Sequence, residues 1–261
     1  MSARDDPPPT YSKTDAIILR TYDYSETSLV LSMLAREHGR VQALAKGARR
    51  PRSTFEGQID LLAEGQAVLL MRPATGLHLL TEFYCRERHL PLRGSLDRAC
   101  AAGYAADAAG AASPEGTPQH EIHDLLSQTL SALESADVLA VLPFFQLQLL
   151  RHSGYLPNLE SCAACGARID AGDARYSFAR RGLTCPDCRD EGPHAVDVSR
   201  AAIALILGLA RSGPAALGRT HVAPPLASEA ILFLARLIAA SFEHETRALR
   251  SLLSVLRKRR R

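Results

Sequence analysis

The first part of the chain alternates short apolar runs with turn residues, a pattern typical of β-strands. His38 and Gly39 form one such turn, and residues 73–76 form another. Because strands this short need partners, five of them in succession predict a small, partly closed β-barrel. The five-stranded OB-fold fits this pattern, and an SH3-like barrel stays open. The predicted strands cover residues 16–20, 27–34, 40–45, 65–71 and 77–84.

After Pro91 the apolar positions recur at helical spacing. Gly154, with Pro157 close behind it, predicts the end of the third helix, since glycine often ends helices and proline cannot continue them. We therefore predict an α+β multidomain protein in which the OB-fold barrel is followed by an α-helical domain. Its predicted helices cover residues 95–109, 120–135, 138–152, 199–211, 226–241 and 243–257.

Composition and turn residues suggest where the domains begin and end. Asp5, Asp6 and the prolines at 7–9 predict a disordered leader, because acids resist burial and proline lacks a backbone donor. The predicted segments are a leader at 1–13, the OB-fold at 14–90, a first helical part at 91–157, a cysteine insert at 158–193 and a second helical part with a basic tail at 194–261.

The overall composition is that of a globular protein, with 46% hydrophobic and 23% charged residues. No run of 18 apolar residues occurs, and the N-terminal sequence lacks the apolar core of a signal peptide. We therefore expect a cytoplasmic protein that does not contact a membrane.

Four of the six cysteines form two CxxC pairs, separated by 19 residues. In a reducing cytoplasm such pairs favour a metal over a disulfide, and four thiolates make a closed tetrahedral zinc site. A closed site leaves no open coordination position, so the zinc is expected to be structural. The first alternative is a lost or labile metal site. A redox dithiol is a more distant one, since the turn-rich context does not favour it. The predicted ligands are Cys162, Cys165, Cys185 and Cys188.

Basic residues concentrate in two segments. One is the loop expected between the third and fourth strands, and the other is the C-terminal stretch 257–261. Together they hold nine of the 31 Lys and Arg, which leaves 22 against 28 acids elsewhere. Such focused charge suits a polyanion, and the loop can follow a phosphate backbone without reading bases. An ordinary solvated loop is the alternative, and the tail is undecided. The four loop cations are Lys46, Arg49, Arg50 and Arg52.

Other motifs indicate little catalytic chemistry. The chain has no phosphate-binding glycine loop and no nucleophile elbow, and the histidines of HEIH at 120–123 lack metalloprotease spacing. We therefore expect a protein that is not an enzyme. Tyr22, Tyr24 and Phe55 border the barrel loops, where they either stack on bases or cap the core.

Three motifs in order resemble the bacterial RecO family. The stretch AIILRTYDYSETSLVLSMLAREHGRVQALAKGARRPRS resembles its opening, with a YxExS loop, an HG turn and a KGARR loop. FFQLQLLRHSGYLPNLESCAACG resembles its helix, GYLP turn and first zinc knuckle, and YSFARRGLTCPDC resembles its second knuckle. The resemblance covers residues 14 to about 250, and the closing basic helix matches only loosely.

The resemblance implies a role in DNA repair and recombination. Such proteins bind single- and double-stranded DNA and anneal complementary strands. With RecR, and often RecF, they help to load the recombinase RecA onto strands covered by single-strand binding protein. By this resemblance the loop cations would contact DNA, the four cysteines would hold zinc, and the protein would be cytoplasmic and associated with the nucleoid.

Two other classes share some of these features. A zinc-ribbon RNA-binding or transcription-associated factor would also combine a barrel, a cysteine module and a basic loop, but would prefer RNA or a particular duplex. A nuclease would cleave its substrate in the presence of a metal ion.

Overall fold

A computed structural model describes residues 10–72, 76–169, 174–189, 192, 195–243 and 247–258. The contacts divide the chain into two compact units, Met1–Glu134 and Ser135–Arg261. Each unit has its own core.

The first unit contains the predicted barrel. Its strands are β1 (Thr10–Asp23), β2 (Leu29–Ala35), β3 (Gly39–Ala45), β4 (Glu64–Met71) and β5 (His78–Glu87). They close in the order β1-β2-β3-β5-β4, and β1 also pairs with β4. Only the β3 and β5 pairing is parallel within this barrel. The five-stranded OB-like barrel is thus confirmed.

The first strand begins earlier than the apolar run suggests. Thr10 pairs with Met71 and Tyr11 pairs with Leu70, so residues 10–13 belong to β1 and not to a leader. These polar residues lie in the strand because main-chain pairing with β4 does not require apolar side chains. Residues 1–9 of the predicted leader lie outside the described residues.

Alternating strand residues fill the barrel interior. The interior cluster contains side chains from all five strands and Phe55 from the loop between β3 and β4, and every member is buried. Ile17 and Leu34 lie outside this cluster and are nevertheless fully buried. The outer face of β1 and β2 therefore needs an apolar cover as well.

Two helices supply that cover. α1 (Leu96–Ala112) packs against β1 and β2, and α2 (His120–Leu133) packs against β1. Salt bridges join Arg20 to Asp107 at 2.5 Å and Arg36 to Asp124 at 2.9 Å. The first compact unit therefore contains α1 and α2 together with the barrel.

The second unit is helical, as expected, with a small sheet inside the cysteine insert. The sheet has the order β7-β6-β8 and was not predicted, because strands of three or four residues carry no readable alternation. The elements are α3 (Val138–His152), β6 (Ala174–Ser177), β7 (Gly182–Thr184), β8 (Val196–Val198), α4 (Arg200–Arg211), α5 (Pro224–Phe242) and α6 (Arg247–Lys258).

The end of α3 follows the sequence expectation. Gly154 has φ +74°, and the N–H groups of Gly154 and Tyr155 donate to Arg151 and Leu150 carbonyls at 3.0 and 2.8 Å. This is a Schellman ending, in which glycine accepts the left-handed conformation without strain.

Helix α5 is long and apolar enough, by length and composition alone, to cross a membrane. Half of its most apolar window is buried within the second unit, where α5 packs against α3 and α4. Its Glu229 carboxylate accepts hydrogen bonds from the main-chain N–H and the hydroxyl of Ser199, which precedes α4. These contacts are those of a core helix.

Candidate nucleic-acid interface and metal site

All four cations of the basic loop are exposed. The loop spans residues 46–63 and joins β3 to β4. Lys46, Arg49, Arg50 and Arg52 lie in its first half, where the chain makes consecutive turns.

The start of the loop is fixed against the barrel. The N–H of Gly47 donates to Ser28 Oγ at 3.1 Å, and the N–H of Arg49 donates to the Thr27 carbonyl at 2.9 Å. Gly47 has φ +71°, a conformation that glycine adopts freely. Phe55, only 6% exposed, anchors the later part of the loop in the barrel core. The basic residues therefore extend from a fixed backbone.

One loop cation has an acidic neighbour. Arg49 Nη1 lies 2.9 Å from Asp23 Oδ1, with side chains 48% and 74% exposed. Such an exposed pair contributes little to stability, so it leaves Arg49 available to another anion. Within the described residues, no salt bridge involves the other three loop cations.

The aromatic residues divide between the two expected roles. Phe55 belongs to the barrel core, so it does not stack on bases. Tyr22 and Tyr24 are 45% and 63% exposed. Tyr24 lies in the turn between β1 and β2, where its N–H donates to the Ser28 carbonyl at 3.1 Å. The same turn receives the hydrogen bonds from the basic loop, so exposed aromatic and cationic side chains share one end of the barrel.

The structure brings the four predicted cysteines together. The four sulfur atoms all lie within 4.8 Å of one another; they belong to Cys162, Cys165, Cys185 and Cys188. The Cys165 and Cys185 sulfurs are 3.9 Å apart. Tetrahedral zinc with bonds of about 2.3 Å places two sulfurs about 3.8 Å apart, so the arrangement fits this ion.

Backbone geometry explains how the two pairs meet. Gly166, with φ +75°, turns the chain so that its N–H donates to the Cys162 carbonyl at 2.9 Å. The N–H of Ala163 donates to the Leu183 carbonyl at 2.7 Å, which joins the first pair to β7. A Cβ on Gly182 would lie 2.7 Å from the Ala163 Cβ, so this approach requires glycine.

Two of the four clustered thiols, Cys162 and Cys188, have shifted pKa values. Burial disfavours the Cys162 thiolate, but the N–H of Cys185 and two N–H groups of its own pair lower the pKa of Cys162 to about 6. Hydrogen bonds with the sulfurs of Cys165 and Cys185 raise the pKa of Cys188 to about 12. Since full ionisation is opposed by the neighbouring sulfurs, a dication would stabilise the four-thiolate state.

The cysteine insert also contacts the helices of its own unit. The Tyr176 ring on β6 meets Phe233 of α5 edge to face, with centroids 5.5 Å apart. Tyr176 is 5% exposed, so it acts as a core residue. The sequence alone did not show this contact, because its partners are far apart in the chain.

Comparisons with known proteins cover both units. The family description "Recombination protein O N terminal" matches residues 10–87, and "Recombination protein O C terminal" matches residues 93–250. The chain belongs to the RecO family. The first match contains the basic loop, and the second contains all four clustered cysteines.

Individual relatives agree with this assignment, and each bears the name DNA repair protein RecO. The Rhodopirellula baltica protein is 37% identical over 190 residues, which cover 70% of this chain and 69% of the relative. The Anaeromyxobacter dehalogenans strain 2CP-1 protein is 33% identical over 220 residues, 84% of this chain and 87% of the relative. The Roseiflexus sp. RS-1 protein is 31% identical over 238 residues, 91% and 83% respectively.

Family membership gives the general role of the protein. It is a RecO family DNA repair protein, as its sequence motifs suggested. An RNA-binding or transcription-associated role is correspondingly disfavoured, since the family and its named relatives are described by recombination and repair.

Proposed function

We propose that this protein binds single- and double-stranded DNA, anneals complementary strands and helps to load a recombinase onto strands covered by single-strand binding protein. Its expected partners are RecR and, as often in the family, RecF. The protein acts without bond chemistry, so it is not an enzyme. Its place is the cytoplasm, in association with the nucleoid.

The exposed basic loop is the observation that carries this proposal. Lys46, Arg49, Arg50 and Arg52 extend from a backbone that is held by the barrel. Two complementary strands repel each other through their phosphates until cations neutralise them. A loop that contacts phosphates lowers this repulsion and leaves the base edges free to pair. Tyr24 beside the loop supports the proposal, because an exposed ring can stack on an unpaired base.

The cysteine cluster has a structural part in the same proposal. Cys162, Cys165, Cys185 and Cys188 would hold one zinc ion, which supplies a crosslink between the two pairs. Each CxxC turn would supply two of the four ligands. Tyr176 connects the insert to α5 through its contact with Phe233. Zinc therefore stabilises the second unit and leaves strand binding to the loop.

Charge reversal of the loop tests the proposal. Exchange of all four loop cations for Glu is expected to weaken binding of a labelled single strand by at least about 100-fold. Each phosphate contact on a single strand contributes about 0.7 to the salt dependence, so the slope should fall by roughly 3. Fluorescence anisotropy over a salt series measures both quantities.

A pair of double variants provides the matched control. One double variant, Arg50→Glu with Arg52→Glu, reverses two charges in the loop. The other, Lys13→Glu with Arg40→Glu, makes the same charge change at exposed barrel positions outside the loop. Only the loop pair should weaken binding strongly. Equal losses in both pairs, or tight binding by the fourfold loop variant at ordinary salt, would contradict a dedicated loop interface.

A further inference from the structure

A buried histidine lies among carboxylates at the junction of three elements in the first unit. His89 follows β5 and is 1% exposed. Its Nδ1 lies 2.7 Å from Glu134 Oε1, immediately after α2. One ligand atom from each of Glu87, His89 and Glu134 lies within 4.8 Å of the others. This group is separate from the cysteine cluster and from the basic loop.

The other side of the imidazole ring faces a further carboxylate. His89 Nε2 is buried and has no hydrogen-bond partner, and it lies 3.7 Å from Glu64 Oε2. Ser127 Oγ donates to the same Glu64 oxygen at 2.8 Å, which fixes this carboxylate in place. A metal-bound histidine commonly directs its second ring nitrogen at a carboxylate that orients the ring. Glu64 stands where such an orienting group is expected.

The Glu87 carboxylate is also held in position by hydrogen bonds. Its Oε1 accepts hydrogen bonds from the N–H groups of Arg88 and His89 at 2.8 and 3.0 Å. These two bonds hold the carboxylate beside the imidazole. Its second oxygen therefore belongs to a carboxylate whose orientation is fixed.

The charges around His89 are unbalanced. Three carboxylates, Glu64, Glu87 and Glu134, surround one imidazole, and within the described residues no Lys or Arg forms a salt bridge with them. Arg98 donates to the main-chain carbonyl of Glu134 and not to its carboxylate. Glu87 is exposed to water, whereas the Glu64 and Glu134 side chains are 16% and 28% exposed, so a dication would compensate the charge of these two carboxylates more fully than one proton on His89.

We propose that Glu87, His89 Nδ1 and Glu134 form a binding site for a divalent transition-metal ion, with Glu64 as the positioning carboxylate. Imidazole and carboxylate donors suit ions such as Mn²⁺ and Fe²⁺, whereas the four-thiolate cluster favours zinc. The bound ion replaces the proton between His89 and Glu134, and water completes its coordination. It fastens the end of β5 to the end of α2. This site goes beyond the proposed function, and its test involves no DNA.

Mn²⁺ is the probe, because it favours oxygen and nitrogen donors over the cysteine sulfurs. The full-length protein, with its cysteine cluster loaded with zinc, is titrated with Mn²⁺ while free Mn²⁺ is followed by electron paramagnetic resonance. We expect one bound Mn²⁺ per chain and a higher melting temperature in its presence, because the ion binds the folded state.

Isosteric variants assign the bound ion to these residues. Glu87→Gln and Glu134→Gln should each weaken Mn²⁺ binding by more than about tenfold, and Glu64→Gln should weaken it by about 10- to 100-fold through the orientation of His89. The control is Glu121→Gln, an exposed position on α2, which should bind as the unchanged protein does. Circular dichroism verifies that each variant is folded before its affinity is compared.

Two results would overturn the site. The first is the absence of bound Mn²⁺ at millimolar concentration in the unchanged, folded protein, which would identify His89 as a buried imidazolium between Glu64 and Glu134. The second is binding that Glu87→Gln and Glu134→Gln leave unchanged, which would place the ion elsewhere.

Discussion

Gly39, the first residue of β3 after the turn from β2, shows how one residue can fix the packing of a unit. It has φ +67°, and a Cβ there would lie 2.1 Å from the Pro114 carbonyl oxygen. The N–H of Gly116 donates to the His38 carbonyl at 2.9 Å, so the segment that joins α1 to α2 crosses directly over this turn. The sequence predicted the turn but not the segment that lies on it.

Gly39→Ala should therefore destabilise the first unit strongly. We expect a loss of roughly 2–4 kcal/mol, from left-handed strain and from displacement of the crossing backbone. Gly76→Ala is the control, since Gly76 has φ +61° with nothing within 4 Å of the added Cβ. Gly76→Ala should lower the free energy of unfolding by only about 1–2 kcal/mol. Urea unfolding measures both, and equal losses would show that the close approach is unimportant.

Asp23 is the acid that forms a salt bridge with a loop cation within the described residues. Because it lies 2.9 Å from Arg49, it competes with DNA for that guanidinium. Asp23→Asn should therefore tighten single-strand binding by about two- to fivefold at low salt, with less effect as salt rises. Glu82→Gln, at an exposed position on β5, is the control for the loss of one acid. Weaker binding by Asp23→Asn would mean that Asp23 positions Arg49.

At the scale of elements, the strands and long helices were predictable because their apolar periodicity extends over many residues. All five barrel strands and all six helices lie at or near their predicted positions. The cysteine cluster was predictable from spacing alone. The start of β1 and strands β6 to β8 were not, since main-chain pairing and very short strands leave no apolar pattern. The sequence also did not predict whether Phe55 lies in the core or on the surface, because its core neighbours come from distant strands.

The proposed zinc ion is expected to stabilise the cysteine insert. Removal of zinc by a chelator should lower the melting temperature of the second unit, by roughly 2–4 °C for each kcal/mol lost. Scanning calorimetry combined with zinc analysis measures the effect. Cys100→Ala, which alters a cysteine outside the cluster, should retain zinc. Complete loss of zinc without a change in melting would contradict a structural role.

At the scale of the whole molecule, positive charge is concentrated while net charge is small. The formal charge is +3, yet four cations lie within seven residues of one barrel loop. Outside this loop and the C-terminal stretch 257–261, 22 Lys and Arg stand against 28 acids, so a polyanionic partner would be attracted to these two segments. Of the C-terminal cations, Arg257 and Lys258 fall within α6, and the last three residues lie outside the described part of the chain.

The rate at which complementary strands pair is the direct measure of the proposed annealing function. Two complementary, fluorescently labelled single strands are mixed with and without the zinc-loaded protein, in the absence of ATP and over a salt series. We predict strong acceleration of pairing at low salt that fades as salt rises, because the loop acts by neutralising phosphates. A folded, zinc-loaded protein that does not accelerate pairing at any salt concentration would contradict the proposed annealing function.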